Sequence, residues 1–237
     1  MSAVLVLTAA GNSTRMGGSV KKEYLTISKD GDQRVSVLSA ALSAFLETRL
    51  FSIIIITVPS GGEAEARAIL SEDWRVESLL KRDGLKLVFA EGGATRQESV
   101  LHGLRMAERI GQSLTDKPDV VLIHDGARPW IGAETIKDIL NSTKKHGAAV
   151  PAIPSVDTQK EIDSEGRIVR HLDRSRIVSV QTPQGFAFER LLEAHIRAAS
   201  DGNSYTDDTE IWGRYCGDVY ACPGSRENRK ITYPGDL

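Results

Sequence analysis

Residues 9–18, Ala-Ala-Gly-Asn-Ser-Thr-Arg-Met-Gly-Gly, follow an apolar run and lead toward Lys21 and Lys22. Ala9, Ala10, Gly11, Asn12 and Ser13 are small enough to let backbone N–H groups approach phosphate oxygens, while Arg15 and Lys22 supply charge. That is the composition of a phosphate-binding loop. It is not a Walker A loop, since GxxxxGK[ST] fails at Met16, and the dinucleotide pattern GxGxxG fails at Ser13. Taken by itself, the segment reads equally as a plain glycine-rich connection with solvated basic residues.

Two further segments carry the same kind of chemistry. Gly92, Gly93, Ala94, Thr95, Arg96 and Ser99 leave one apolar run and open a helical pattern, so a helix N-terminus is offered to an anion or a base edge. The plainer alternative is that Thr95 only caps the helix and Arg96 is solvated. In residues 123–129, Ile-His-Asp-Gly-Ala-Arg-Pro, an apolar run delivers Asp125 at its carboxyl end, placed to meet a metal or a sugar hydroxyl. Its alternative is a turn fixed by Asp125 and Arg128, with His124 an ordinary half-buried residue. No Ser-His-Asp order, HExxH motif or nucleophilic cysteine context accompanies these segments. They point to phosphoryl or nucleotidyl transfer, in which a protein mainly positions groups and neutralises charge.

Such loops need a sheet to hold them. Nearly continuous β-branched runs at residues 4–7, 53–58, 85–89 and 120–123 suit strands buried on both faces. Helical patterns at 37–46, 63–70, 95–109 and 133–145 alternate with them. This predicts a mostly parallel α/β sheet flanked by helices, in one domain spanning 1–237. Beyond Pro151 the pattern changes. Residues 159–162 and 168–171 flank a turn at 163–166, giving a polar hairpin within an arm at about 153–180. Isolated hairpins are marginal in water, which favours a dimer-forming arm over a surface excursion. Helices at 188–199 and 206–215 and strands at 219–221 and 230–233 complete the reading.

Composition excludes several roles. Of 237 residues, 41% are hydrophobic and 26% charged, which fits an ordinary globular chain. With 30 basic against 32 acidic residues there is no excess charge for a nucleic-acid partner. No stretch approaches the roughly 20 apolar residues of a membrane span. The apolar start at 3–7 lacks the basic flank of a signal peptide. Cys216 and Cys222 match neither a redox pair nor a zinc knuckle, so a reducing, cytoplasmic setting is expected.

Nine segments occur in order along the chain: AAGNSTRMG (9–17), KKEYL (21–25), GGATRQESV (92–100), HDGARP (124–129), DTQK (157–160), LDR (172–174), QTPQGF (181–186), TDD (206–208) and NRKIT (228–232). In these the sequence resembles the 2-C-methyl-D-erythritol 4-phosphate cytidylyltransferase family. The resemblance implies a Rossmann-like nucleotidyltransferase fold with a projecting β-hairpin arm. It implies that a sugar-alcohol phosphate attacks the α-phosphorus of CTP and releases pyrophosphate, with Mg2+ bridging the triphosphate. Arg15 and Lys22 would stabilise the transition state, and Arg174 and Lys230 would hold the incoming phosphate. Ala9, Ala10, Gly11, Asn12, Ser13, Gly93, Arg96 and Ser99 would line the CTP pocket. Asp125, Arg128, Thr158, Thr182 and Thr206 would surround the substrate, with Asp125 a metal candidate. The arm would cross to a second subunit of a homodimer, where Thr158 and Arg174 complete the neighbour's site.

The chain departs from the family pattern at Lys21, often proline, and Glu23, often glutamine, and it stops at Leu237 where a further helix is usual, which would leave part of the sheet uncovered unless the sequence is a truncated or natural short form. Ribitol-5-phosphate cytidylyltransferase is the nearest rival, and Asp173-Arg174 favours the methylerythritol branch. The four basic positions argue against a noncatalytic nucleotide-binding protein, and the broken fingerprint argues against an NAD-linked oxidoreductase.

Overall fold

A computed structural model describes residues 3–13, 16–17, 20–30, 33–81, 83–115 and 117–237. In chain order the elements are β1 (Ala3–Thr8), β2 (Thr26–Asp30), β3 (Gln33–Ser36), α1 (Val37–Thr48), β4 (Phe51–Val58), α2 (Glu63–Ser71), α3 (Trp74–Leu80), β5 (Lys86–Glu91), α4 (Arg96–Gly111) and β6 (Val120–Asp125). There follow α5 (Ala133–His146), β7 (Ala148–Pro154), β8 (Lys160–Ile162), β9 (Ile168–His171), β10 (Val178–Val180), β11 (Gln184–Ala187), α6 (Phe188–Ala198), α7 (Asp208–Tyr215) and β12 (Tyr220–Pro223).

Alternation along the central strands divides the core in two. Leu5, Leu7, Ile54, Ile56 and Leu122 face one side, where Leu42 and Phe45 of α1, Leu70 of α2, Val76 of α3 and Ile139 of α5 cover them. Val4, Val6, Ile53, Ile55, Val121 and Ile123 face the other, under Leu104 of α4, Leu191 of α6 and Trp212 of α7. The runs read as continuous because both faces of the sheet are apolar, a requirement of strands sandwiched between helix layers.

β1 pairs in parallel with β4 on one edge and β6 on the other, and β4 pairs in parallel with β5. The chain thus winds outward from β1 to β4 and β5, then crosses back to β6 on the opposite side. At such a switch point the loops leaving the strand ends spread apart and open a crevice. Beyond β6 the sheet is mixed. β11 runs antiparallel to both β6 and β7, β10 runs antiparallel to β7, and β12 runs parallel to β7. The strongly apolar strands are the parallel ones, as predicted. The reversed β10 and β11 were not foreseen, nor were α3 and the β2–β3 pair.

The hairpin at 159–171 is present as β8 and β9, with Gly166 at φ +83° in its turn. Val156, Ile162, Ile168 and Val169 of the arm are 56%, 62%, 55% and 57% exposed, an apolar surface that this chain does not cover. The strand predicted at 230–233 is not one. The N–H of Ile231 bonds the carbonyl of Ala127 at 2.9 Å and the N–H of Thr232 bonds Oδ2 of Asp236 at 2.7 Å, so this backbone is engaged by single tertiary bonds instead of a ladder. The second helix after the arm begins at Asp208, two residues later than its pattern indicated.

Close packing makes β11 a sensitive point. A Cβ on Gly185 would lie 2.1 Å from Oγ1 of Thr143 and 2.8 Å from Cδ2 of Leu122. Gly185→Ala is expected to destabilise the fold by about 1–3 kcal/mol. Gly213, exposed on α7 with open space around its Cα, is its control: Gly213→Ala should stabilise by about 0.5–1 kcal/mol, because alanine is the better helix former. Urea unfolding of both variants checks the pair.

Candidate active site

The crevice at the switch point is a cleft of about 370 Å3, a size suited to a small-molecule ligand. Of the residues singled out from sequence, Ala10, Gly11, Asn12, Ser13, Lys22, Gly93, Arg96, Ser99, Asp125 and Lys230 line it. Ala9 is buried beneath the first loop, and Thr182 is buried behind Asp125. Arg128 stands beside Asp125 without lining the cleft. Arg15 lies outside the described residues. Thr158, Arg174 and Thr206 are exposed and are absent from the cleft wall of their own chain. Thr206 is engaged locally, its N–H and hydroxyl both donating to Glu210 Oε2 at 2.8 and 3.0 Å. Glu23, Ala94, Thr95, Ala127 and Thr232, which belong to the segments singled out but were not named as site residues, also line the cleft, as does Thr8, which lies outside those segments.

Asp125 is the hub. Its carboxylate lies 2.7 Å from Lys230 Nζ, 3.5 Å from Arg96 Nε and 3.8 Å from Arg128 Nε. Burial raises the pKa of this carboxyl, but the charges of Lys230 and Arg96, with Arg128 behind them, hold it far below the usual carboxylate range. Arg96 is not the solvated residue of the plainer reading. Its Nη2 lies 2.8 Å from Asp208 Oδ2, and the two carboxylates outweigh burial and raise its pKa above the ordinary arginine value.

The two glycine-bearing loops meet edge to edge. A Cβ on Gly92 would sit 2.2 Å from Cβ of Ala10, and one on Gly93 would sit 2.3 Å from Cβ of Glu98, so neither position admits a side chain. Thr95 does cap α4, accepting from Glu98 N–H at 3.1 Å. The N–H of Gly93 is taken by Ser99 Oγ at 3.0 Å and that of Ala94 by Glu98 Oε2 at 2.7 Å. Those donors are satisfied within the loop, which corrects the expectation that they stand open to an anion. In the first loop Ser13 adopts φ +52°; its hydroxyl accepts from Lys22 N–H at 3.1 Å and donates to Glu23 Oε2 at 3.3 Å. Lys21 Nζ donates to the Gly11 carbonyl and lies 3.7 Å from Glu23. The Lys21–Glu23 departure thus closes the loop with an ion pair.

The C-terminal segment is anchored by buried amides. Gln181 Nε2 donates to the carbonyls of Ser225 and Asn228 at 2.7 and 3.2 Å, and Asn228 Nδ2 donates to the Thr182 carbonyl at 2.8 Å. Arg128 Nη1 donates to the Asn228 carbonyl at 2.7 Å, and Lys22 Nζ donates to the Ile231 carbonyl at 3.0 Å. Segments 181–186 and 228–232 are therefore one structure, and it sets Lys230 on Asp125.

His124 is fully buried, which corrects the half-buried reading. Its Nε2 lies 3.2 Å from the Arg128 carbonyl, an acceptor only, so Nε2 carries the hydrogen. Nδ1 then accepts from the Thr182 hydroxyl at 3.0 Å, and that hydroxyl accepts from Asp125 N–H at 3.1 Å. His124 holds the turn that presents Asp125 and does not line the cleft.

Among the described residues no group of three or more His, Cys, Asp or Glu side chains could hold a metal. The donor set offers instead one ionised oxygen ligand, Asp125, which fits a magnesium ion carried mainly by phosphate oxygens and water. No helix among them is long and apolar enough to cross a membrane.

The family model for 2-C-methyl-D-erythritol 4-phosphate cytidylyltransferase matches residues 3–237. A protein of that name from Clostridium botulinum is 33% identical over 98% of this chain and 94% of its own length. Another from Bacillus cereus is 34% identical over 98% and 93%. The structure of the Thermus thermophilus protein of the same name superposes with a TM-score of 0.71 at 30% identity, covering 100% of this chain and 95% of that one. A 4-diphosphocytidyl-2C-methyl-D-erythritol synthase from Anaerococcus prevotii superposes at 0.77 with 25% identity, over 99% and 94%.

Burial, opposed by the Arg128 carbonyl and the Asp125 charge, pushes the His124 pKa down from 6.5 to about 4. Between those values the unfolded chain binds a proton that the folded chain refuses, so stability falls as pH drops through the window, by up to about 3 kcal/mol. Urea unfolding at pH 7, 5.5 and 4.5 should show this decline. His124→Gln is expected to be less stable at pH 7 and flatter below it; an unchanged slope would exclude His124 as its source.

Proposed function

The chain belongs to the 2-C-methyl-D-erythritol 4-phosphate cytidylyltransferase family, and from that membership we propose how its cleft works on CTP and 2-C-methyl-D-erythritol 4-phosphate. The observation that carries this reading is that motif segments 9–17, 92–100, 124–129 and 228–232 each contribute to a single cleft around Asp125. A phosphate oxygen of the methylerythritol substrate attacks the α-phosphorus of CTP, the bond from that phosphorus to the bridging oxygen breaks, and pyrophosphate leaves with the electron pair. No covalent bond to the protein forms.

The protein's share is charge and alignment. Lys22, with its ammonium anchored by the Ile231 carbonyl, stands at the mouth of the first loop and neutralises charge that develops on the α-phosphate, together with Arg15. Lys230, held on Asp125, is 34% exposed at its side chain and so meets the incoming phosphate without leaving its partner's field. Asp125 is the residue that would hold a magnesium ion alongside the triphosphate, once phosphate oxygens have drawn off part of its contact with Lys230 and Arg96, and such an ion would neutralise further charge on the phosphate oxygens.

Thr158 and Arg174 enter the reading through a second subunit. Both are exposed on the arm and outside their own cleft, Arg174 donating to the Val156 carbonyl at 3.1 Å. A two-stranded hairpin with an uncovered apolar face gains stability by packing on another chain. The working unit is a homodimer in which each arm completes the neighbour's site. The cytoplasm is its compartment, a reducing setting that suits the unpaired Cys216 and Cys222.

Pyrophosphate release is to be measured with CTP, magnesium and either methylerythritol phosphate or ribitol phosphate, with ATP, GTP and UTP as controls. Turnover is expected only with CTP and methylerythritol phosphate. Preference for ribitol phosphate would overturn the substrate, and silence with both despite CTP binding would favour a noncatalytic protein. Subunit mixing tests the arm: Lys22→Ala and Arg174→Ala should each be inactive, whereas re-assorted mixtures regain roughly a quarter of wild-type activity, because each mixed dimer holds one intact site. Mixtures that stay inactive would show that both residues serve the same chain.

A further inference from the structure

Arg96 enters the cleft from the first turn of α4 and is gripped from behind. Its ion pair with Asp208, 2.8 Å from Nη2, is shorter than the one with Asp125, 3.5 Å from Nε. Asp208 is 1% exposed, and its Oδ1 accepts from Nε2 of His195 at 3.1 Å; since a carboxylate only accepts, Nε2 carries the hydrogen. His195 is wholly buried on α6, where the neighbouring buried residues Leu191, Leu192, Ala194 and Ala198 are apolar.

Local structure explains neither residue. The cap of α7 is Asp207, whose Oδ1 accepts from Glu210 N–H at 3.1 Å, so Asp208 is not needed there. An imidazole on an apolar helix face brings polar atoms into the core, and His195 Nδ1 is buried with no hydrogen-bond partner among the described residues. Retaining a buried carboxylate and a buried imidazole at this cost points to the group at the end of their chain of contacts: His195 touches Asp208, and Asp208 touches the guanidinium of Arg96.

We infer that Asp208 and His195 are positioning residues for the nucleoside triphosphate: Asp208 fixes Arg96 in the cleft, and His195 fixes Asp208. The inference rests on the reading of Arg96 as a contact of CTP. A free arginine side chain samples many rotamers, and ordering it on binding weakens affinity; clamping it beforehand removes that loss. The clamp also solves a problem at Asp125. When the triphosphate arrives it competes with Asp125 for its cations, and Arg96 can turn to the phosphates while the shorter contact to Asp208 keeps it in place.

Isothermal titration of CTP with magnesium into the full-length protein tests this in Arg96→Ala, Asp208→Asn, the double variant, His195→Leu and His195→Gln. Arg96→Ala and Asp208→Asn are each expected to weaken CTP about tenfold, with the double variant no weaker than either one. His195→Leu should weaken it about threefold, while His195→Gln, which keeps an N–H donor, stays within about twofold of wild type. In turnover the loss should fall on KM for CTP, with kcat within about threefold. Unchanged affinity in Arg96→Ala overturns both the contact and the inference. A weakened Arg96→Ala beside unchanged Asp208→Asn and His195→Leu overturns the positioning role and leaves the contact standing. Should Asp208→Asn lose its cooperative unfolding transition, the His195 pair carries the test, since a packing role would let leucine serve as well as glutamine.

Discussion

A carboxylate sunk into the end of a parallel sheet stays ionised only if cations are brought to it, and Asp125 makes that demand on the whole chain. Three separate parts of the sequence answer it. Arg96 comes from the helix after β5, Arg128 from the turn after β6, and Lys230 from a segment that reaches the cleft only after the arm, α6, α7 and β12 have been laid down. The buried amides of Gln181 and Asn228 exist to hold that last segment in place, and the neutral imidazole of His124 holds the turn that presents the carboxylate. Remove the charge at 125 and these arrangements lose their common object. What remains would be three like charges around an anion-sized space.

The same arrangement explains how the site meets its ligand. Cations already assembled around one protein carboxylate need little reorganisation when phosphate oxygens replace part of that carboxylate's share, and preorganised charge is the form of electrostatic assistance that a low-dielectric cleft makes strongest. The loops follow the same logic. Gly93 and Ala94 donate inward to Ser99 and Glu98, so their stiffness, more than open N–H groups, is what they contribute to the cleft wall.

Much of this was legible in sequence where local pattern decides it. The buried strands announced themselves through apolar residues on both faces, and Asp125 through its place at the end of one of them. Thr95, read as a cap, located the start of α4. Partners that come from far along the chain were not legible. Asp208 looked like part of a helix start and His195 like one residue of a helix face; that Asp208 lies against Arg96 and His195 against Asp208 depends on how α4, α6 and α7 pack. Residues 230–233 carry strand-forming side chains, yet Ile231 and Thr232 give their N–H groups to Ala127 and Asp236, and tertiary bonding overrides propensity. β11 escaped because Pro183 and Gly185 mark a break by every local rule, whereas here the glycine is what allows the strand to lie against Thr143. Arg174 and Thr158 stood out only through the resemblance, since among the described residues neither lines the cleft of its own chain.

The contact between Ala10 and Gly92 has a consequence for how this protein can change over generations. The two loops, where they meet edge to edge at the cleft, share the volume of a single methyl group, and position 10 holds it. A Cβ at 92 would also lie 2.9 Å from Ser99 Oγ, so a side chain could arise there only in a lineage that had given up the one at 10 and shifted the Ser99 hydroxyl. The intermediate with both would force the loops apart and open the cleft. The constraint is one-sided: position 10 can lose its methyl without a clash, whereas position 92 cannot gain one while Ala10 keeps its own.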